Sequence, residues 1–265
     1  MGFGVNSFIV KEITGRGFSL EELGVDFVEL SFDDVKVLTE EGINWETLGN
    51  LEGLGFDFTL HAPTSDGRNV SLNLGVYTRT NISVMENVFR IASALNAEDI
   101  IIHGGDIRGD YHRAFMNTLR QFREIEALAR DYGVRLLVEN LTGGRIGAFP
   151  HELIPFIGEN SAVCLDVGHA FLTAMRYGLP LQEFDVLSRS AREFHVHDNN
   201  GERDEHLPPG EGMIGVRYIL RMIENFRPEN VVFEVRNYSN PMGVIAGINA
   251  IREGKEMKIV REGSL

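Results

Sequence analysis

The sequence predicts an α/β protein built as a single (β/α)8 barrel, the TIM-barrel architecture. Short runs rich in β-branched and aromatic residues recur eight times along the 265 residues, and longer stretches with helical periodicity separate them. No linker rich in proline, glycine or serine divides the chain. Strands that alternate with helices pair in parallel, and eight such strands close a barrel. We therefore expect one domain over residues 1–265.

The predicted strands are, in chain order, FGVNSF, FVELS, FTLHA, DIIIHGG, RLLVENL, AVCLDVGH, EFHVHD and VVFEVR. The clearest helices are predicted over residues 81–95, 112–132, 215–226 and 240–252, where apolar residues recur at helical spacing. An open doubly wound sheet is the alternative. It is disfavoured because no GxGxxG follows the first strand, where a dinucleotide-binding fold would carry it.

Composition narrows the class of protein. With 43% hydrophobic and 24% charged residues, the chain is typical of a globular protein with a full core. No apolar run approaches the ~20 residues of a membrane span, and the N-terminus MGFGVNSFIVKE differs from a secretory signal. The single cysteine, Cys164, excludes a disulfide framework. We expect a cytoplasmic protein that has no membrane partner, with Cys164 as a small buried hydrophobe.

The formal net charge of −14 disfavours a nucleic-acid partner, because contacts with phosphates need a basic surface. Tightly bound divalent cations are not included in that charge. Three of them would bring it to about −8 and would concentrate their positive charge at one place. DNA therefore remains a disfavoured alternative to a small-molecule substrate.

Metal-binding side chains stand at or just after the ends of six of the eight predicted strands. In a TIM barrel the C-terminal strand ends form one mouth, which is where active sites lie. Unpaired polar groups are costly inside strands, so this pattern favours a shared site. Imidazole together with carboxylate suits zinc, manganese or related divalent ions. The side chains are His61, His103, Glu139, Asp166 with His169, His195, and Glu234.

The stretch EFHVHDNNGERDEHLPPGEG adds candidates from the loop after the seventh predicted strand. Asp204 and His206 are two residues apart, so an extended loop can aim both at one ion. His195 and His197 share one face of the strand, and His197 is a candidate substrate contact. Taken alone, His61 and His103 could instead be hydrogen-bonded histidines that close their strands.

Other interpretations of single residues stay open. Glu139 and Glu234 could form ion pairs with Arg145 and Arg236, which are near them in sequence. His112 and His151 are interpreted as surface residues. The candidate substrate contacts, for phosphate or sugar hydroxyls, could equally be salt bridges or turn residues at the barrel rim; they are Arg203, Asn140, Asn199, His197, Arg145 and Arg236.

These residues resemble the xylose isomerase-like TIM barrels, a superfamily that includes endonuclease IV (AP endonuclease family 2) and many sugar isomerases and epimerases. The resemblance covers nearly the whole chain. It is carried by VCLDVGH and by DEH followed by GEG. By this resemblance, Glu139, Asp166, His195 and Glu234 would form the four-ligand core of the isomerases and epimerases. Glu139 and Glu234 would then transfer the proton.

The resemblance to endonuclease IV implies up to three Zn²⁺ ions and nine ligands. His61, His103 and Glu139 would hold the first ion. Glu139 would also bridge to a second ion, which Asp166, His195 and Glu234 would hold. The third ion would be bound by His169, Asp204 and His206. Such a cluster would supply a metal-bound hydroxide that attacks a phosphodiester.

Three segments differ from endonuclease IV. APTSDGRN, after His61, lacks the tyrosine and the apolar side chain that endonuclease IV inserts into DNA. SFDDVKVLTEEG is acidic where an arginine loop is expected. HVHDNNGERDEH differs from the Asn-Asp-Ala-Lys pattern. These differences favour a small sugar or phosphoester over DNA.

Three functional hypotheses follow from these patterns. The first is a multinuclear zinc phosphoester hydrolase. The second is a sugar or sugar-phosphate isomerase or epimerase that uses Zn²⁺, Mn²⁺ or another divalent metal, with Glu139 and Glu234 as its acid/base pair. The third is a metal-binding barrel without catalysis. The larger ligand set places the hydrolase narrowly first.

Overall fold

The chain folds as a closed barrel of eight parallel strands, which confirms the predicted (β/α)8 architecture. The structure is a computed structural model that describes residues 1–17 and 23–254. The barrel strands are β1 (Gly2–Asn6), β2 (Phe27–Ser31), β5 (Asp57–His61), β6 (Asp99–His103), β7 (Arg135–Glu139), β8 (Ser161–Asp166), β9 (Ala191–Val196) and β10 (Asn230–Phe233). Strand β10 pairs with β1 and closes the ring.

Helices connect most of the strands and cover the outside of the barrel. They are α1 (Ser7–Gly15), α2 (Trp45–Glu52), α3 (Arg79–Leu95), α4 (Tyr111–Asp131), α5 (Pro150–Leu153), α6 (Val167–Tyr177), α7 (Val216–Phe226) and α8 (Pro241–Glu253). A short antiparallel hairpin, β3 (Leu38–Thr39) with β4 (Gly42–Ile43), stands outside the barrel. Among the described residues, no helix is both long and apolar enough to span a membrane.

At two strand-to-helix junctions the last residue of the strand caps the following helix with its side chain. Asn6 ends β1 and accepts a hydrogen bond from the Ile9 amide at 3.0 Å, so α1 begins directly after the strand. Asp166 ends β8 and accepts from the His169 amide at 2.6 Å in the same way. The second junction places a carboxylate and an imidazole on one turn at the barrel mouth.

The main apolar core lies between the strands and the surrounding helices, as in other barrels of this type. Inside the barrel, a small apolar cluster of Ile101, Leu137, Ala162 and Cys164 lies among buried polar side chains. Burial raises the pKa of the Cys164 thiol well above its usual value, which agrees with its interpretation as a small buried hydrophobe.

Gly105, just after β6, packs so closely that a side chain would overlap the backbone of Gly75. We expect Gly105→Ala to lower the free energy of unfolding by about 1–3 kcal/mol, the usual cost of overpacking. Chemical denaturation measures this change. Gly49→Ala is the matched control: the exposed Gly49 lies in α2 with no described atom within 4 Å of an added Cβ. The control should be neutral or stabilising by up to about 1 kcal/mol. Equal midpoints for both variants would contradict the close packing.

Candidate metal centre

A cavity of about 380 Å³ opens at the C-terminal ends of the barrel strands. Seven of the nine predicted metal ligands line it, and the other two, Asp166 and His195, are fully buried beside them. The structure therefore brings all nine predicted ligands together at one mouth. They form three adjacent groups that overlap, since the ligand atoms of His61, His195 and Glu234 also lie within 4.8 Å of one another.

The first ligand group consists of His61 on β5, His103 on β6 and Glu139 on β7. The His61 Nε2 atom lies 3.2 Å from Glu139 Oε2, and His103 Nε2 lies 2.8 Å from the same oxygen. The His61 Nδ1–H donates to the Ala62 carbonyl at 2.9 Å, which leaves Nε2 as its ligand atom.

The second ligand group consists of Glu139, Asp166, His195 and Glu234, whose ligand atoms lie within 4.8 Å of one another. His195 Nδ1 is 3.6 Å from Glu139 Oε1 and 3.7 Å from Glu234 Oε2. Glu139 thus faces the first group with Oε2 and the second with Oε1. This is the arrangement that a bridging carboxylate requires.

The third ligand group consists of His169 on α6 together with Asp204 and His206 from the loop after β9. One oxygen of Asp204, Oδ2, lies 3.1 Å from His169 Nε2 and 3.2 Å from His206 Nε2. The His197 ring packs against the His206 ring, with their centroids 4.0 Å apart. His197 is therefore next to this group.

Unpartnered buried atoms show that the ligand groups fit divalent ions. Asp166 Oδ2, His195 Nδ1 and His197 Nε2 are buried without a hydrogen-bond partner in the part of the chain that the structure describes. Buried polar atoms are almost always paired, so three unpartnered atoms around one mouth fit the binding of a cation there. Mixed imidazole and carboxylate donors suit zinc or manganese better than calcium or magnesium.

The pKa values of the side chains at the mouth also favour positive charge there. Burial alone would lower the pKa of His61, but its hydrogen bond to Glu139 and the nearby carboxylates raise that pKa to about 9. Burial alone would raise the pKa of Glu234, but the charges of His195 and Arg236 lower it to about 2. The ionised carboxylates thus hold a proton on His61, whereas burial lowers the pKa of His103. Divalent ions bound here would supply the positive charge in place of such protons.

Glu29 is a residue of the site that strand-end reasoning missed. It lies in the middle of β2, fully buried, and its Oε2 accepts a hydrogen bond from His195 Nε2 at 3.0 Å. Glu193 Oε1 is 3.5 Å from the same nitrogen. Outer carboxylates of this kind fix the orientation of a metal-binding imidazole. The signal in the sequence was a charged residue inside the apolar run FVELS.

We expect Glu29→Gln to weaken metal binding at the second ligand group by about 10- to 100-fold, the usual cost of losing an outer partner of a histidine ligand. Competition with a metallochromic chelator measures the affinity. Glu46→Gln, an exposed position in the first turn of α2, is the matched control and should bind as the wild type does. Unchanged affinity in Glu29→Gln would show that His195 does not depend on this carboxylate.

The predicted substrate contacts divide into two sets. Arg145 and Arg236 line the cavity, and Arg145 is held by Asp66 at 3.2 Å and Asp106 at 3.5 Å. Asn140 Nδ2 donates to the Asp166 carbonyl at 2.9 Å, and Asn140 Oδ1 accepts from the Asp166 amide at 2.7 Å. The side chain of Asn140 therefore supports the end of β8.

Asn199 likewise bonds the backbone, donating to the Gly168 carbonyl and accepting from Gly201. Arg203 is exposed and is not among the described residues that line the cavity. His112 and His151 are exposed, as expected. One wall of the cavity is acidic, and part of it comes from the acidic segment SFDDVKVLTEEG that the sequence showed. The wall carries Asp33, Asp34 and Asp66 together with Ser31, Thr64 and Arg68.

Comparisons with known proteins agree with this fold. An uncharacterized protein of Methanocaldococcus jannaschii, MJ1614, is 29% identical over 227 residues, which is 81% of this chain and 83% of that protein. A D-tagatose 3-epimerase-like protein superposes with a TM-score of 0.73 at 23% identity, covering 96% of each chain. Endonuclease IV of Thermus thermophilus superposes with a TM-score of 0.62 at 19% identity, covering 96% of this chain and 98% of that one.

The family assignment rests on the sequence itself. Residues 19–257 match the family model described as xylose isomerase-like TIM barrel, which is most of the chain. The resemblance inferred from the strand-end ligands is thereby confirmed. The chain belongs to the xylose isomerase-like TIM barrel family.

Proposed function

We propose that this chain is a metal-dependent phosphoester hydrolase whose reaction centre is the first and second ligand groups, joined through Glu139. The observation that carries the proposal is the pair His61 and His103, which face the second oxygen of Glu139. A one-metal isomerase needs only Glu139, Asp166, His195 and Glu234. Two further histidines at the same carboxylate, one buried and one partly buried, are expected for a site that holds a second ion.

The chain's own residues define what such a site does. Glu139 would join the two ions, while His61, His103, Asp166, His195 and Glu234 would hold them. Divalent ions bound there would lower the pKa of water and would neutralise charge on phosphate oxygens. Arg236 lies at the rim of the cavity, with its guanidinium 3.8 Å from Glu234. It is placed to orient a phosphate beside the ligand groups.

The cavity favours a small substrate over DNA. Its volume of about 380 Å³ fits a small molecule. Asp33, Asp34 and Asp66 on its wall would repel the further phosphates of a polynucleotide. The substrate class that we propose is therefore a small phosphoester. Its phosphate would lie toward Arg236, and its polar remainder would lie toward the acidic wall.

The second candidate is a sugar isomerase or epimerase. The four-residue second ligand group favours it, since Glu139 and Glu234 flank one position where a substrate carbon could exchange a proton. The similarity to a D-tagatose 3-epimerase-like protein agrees with this alternative. It gives no function to His61 and His103, which is why it ranks second.

His103→Ala separates the two candidates, because it damages the first ligand group and leaves the second complete. The zinc- or manganese-loaded wild type should cleave bis(4-nitrophenyl) phosphate or 4-nitrophenyl phosphate, and His103→Ala should lose that activity. Ketoses and abasic-site duplex DNA serve as competing substrates. The exposed His151→Ala is the matched control and should retain activity. The isomerase would be established instead if the wild type cleaved no phosphoester and if both the wild type and His103→Ala turned over a ketose.

A further inference from the structure

Three imidazoles surround Asp204 in the same orientation. His169 Nδ1 lies 3.0 Å from the Asn140 carbonyl oxygen, and His206 Nδ1 lies 2.7 Å from that of Glu234. His197 Nδ1 makes a longer contact of 3.5 Å with the Asp198 carbonyl. In each ring the opposite atom, Nε2, faces the Asp204 carboxylate.

This orientation fixes which ring atoms can bind a metal. A carbonyl oxygen only accepts hydrogen bonds, so each Nδ1 carries the proton and each neutral ring presents its Nε2 lone pair. Three lone pairs and a carboxylate then face one another, with all four ligand atoms within 4.8 Å. Rings that keep a proton on Nε2 donate it to Asp204, as the distances of 3.1 Å from His169 and 3.2 Å from His206 allow. A divalent cation that replaced those protons would be bound by all four atoms.

His197 is the residue that distinguishes this group. Its side chain is 0% exposed, and its Nε2 has no hydrogen-bond partner among residues 1–17 and 23–254. Asp166 Oδ1 is 3.2 Å away, but it lies outside hydrogen-bonding geometry. Gly168 makes room for the ring, because any Cβ there would overlap the His197 imidazole. The chain thus keeps a buried imidazole aimed at Asp204.

We propose that His197 is the fourth protein ligand of an ion held by His169, Asp204 and His206, and that this third site is closed and structural. Four protein donors complete the tetrahedral shell of zinc, whereas catalytic zinc sites keep one position open. The inference rests on the proposed function in one respect: phosphoester hydrolysis is assigned to the two ligand groups joined by Glu139, and not to this third group. The third ion would serve to hold the loop of residues 198–215.

The loop itself shows what the ion would hold. Asp198 and Leu207 exchange two backbone hydrogen bonds, at 2.8 and 2.9 Å, and the Asp198 carboxylate accepts from the amides of Gly210 and Ile214. These bonds fold the loop on itself. His206, however, has a φ of +50°, a conformation that is unfavourable for a residue with a side chain. An ion shared with His169 of α6 and with His197 after β9 would offset that cost and fix the loop to the barrel.

The experiment uses the full chain loaded with cobalt(II), whose tetrahedral complexes absorb more strongly than octahedral ones. Compared with the wild type, His197→Ala should lose about one ion per chain, the strongest visible bands, and protection of residues 198–215 from hydrogen exchange. Inorganic phosphate should leave the wild-type-minus-variant difference spectrum unchanged, because a closed site has no position for it. The exposed His112→Ala is the control and should match the wild type.

Two results would overturn the proposal: unchanged metal content and spectrum in His197→Ala, or a difference spectrum that shifts on adding phosphate. If His197→Ala fails to fold, Gly168→Ala tests the same point, since it displaces the ring and deletes no donor atom. It should also lose about one ion while its far-ultraviolet circular dichroism is retained. All these measurements are made without substrate. A failure to cleave phosphoesters would therefore contradict the proposed function and leave the metal result intact.

Discussion

Glu139→Gln is expected to abolish phosphoester hydrolysis. Loss of an outer partner of a metal ligand costs about 10- to 100-fold, and loss of this carboxylate should lower kcat/KM by more than that. The carboxylate uses both oxygens: Oε2 faces His61 and His103, and Oε1 lies 3.6 Å from His195. An amide offers one acceptor oxygen, and its nitrogen only donates. Glutamine therefore cannot join two ions, although it fills nearly the same space.

Metal content makes this prediction specific. The wild type should hold about three ions and Glu139→Gln about one, the ion of the third group, because Glu139 belongs to both other groups. Elemental analysis after desalting and steady-state kinetics on a phosphodiester are measured on the same preparations. Glu46→Gln is the control and should match the wild type in both. A variant that keeps its full metal content and its activity would show that Glu139 does not bridge.

The barrel was predictable from sequence because its periodic signals are local. Runs rich in β-branched and aromatic residues identified the eight strands. The predicted helices 81–95, 112–132, 215–226 and 240–252 differ from the observed ones by at most two residues at either end. The strand-end rule placed seven of the nine candidate ligands, because parallel strands carry their last residues to one mouth. Asp204 and His206 came from the loop after the seventh predicted strand. This rule needs only the position of each residue within its strand.

The parts that were not predictable depend on contacts between distant segments. Glu29 lies 166 residues from His195 in sequence, and only closure of the barrel brings their side chains together. Asn140 was a reasonable substrate contact in sequence, but the backbone of Asp166 uses both of its amide atoms. From the sequence, His197 was a candidate substrate contact and not a predicted metal ligand. Its alignment with two other imidazoles around Asp204 depends on how the loop of residues 198–215 folds back.

Removing the metal ions is expected to destabilise the folded chain strongly. Folding brings Glu29, Glu139, Asp166, Asp204 and Glu234 to one end of the barrel, where like charges repel. An ion present at 1,000 times its dissociation constant contributes about 4 kcal/mol of stability. For a chain of this size, each kcal/mol moves Tm by roughly 2–4 °C. Loss of one such ion should then lower Tm by roughly 8–16 °C.

Thermal denaturation with and without a chelator measures this effect, and add-back identifies the metal class. Zn²⁺ or Mn²⁺ should restore Tm, whereas Mg²⁺ should not, because imidazole nitrogens supply five of the nine ligands. The same chelator should lower the Tm of Glu139→Gln by a smaller amount, because that variant has fewer ions to lose. A wild type whose Tm does not respond to chelation, after elemental analysis has confirmed that the ions are gone, would mean that the acidic mouth is stable without them. The protons on His61 and His169, which face Glu139 and Asp204, would then suffice to balance the carboxylates.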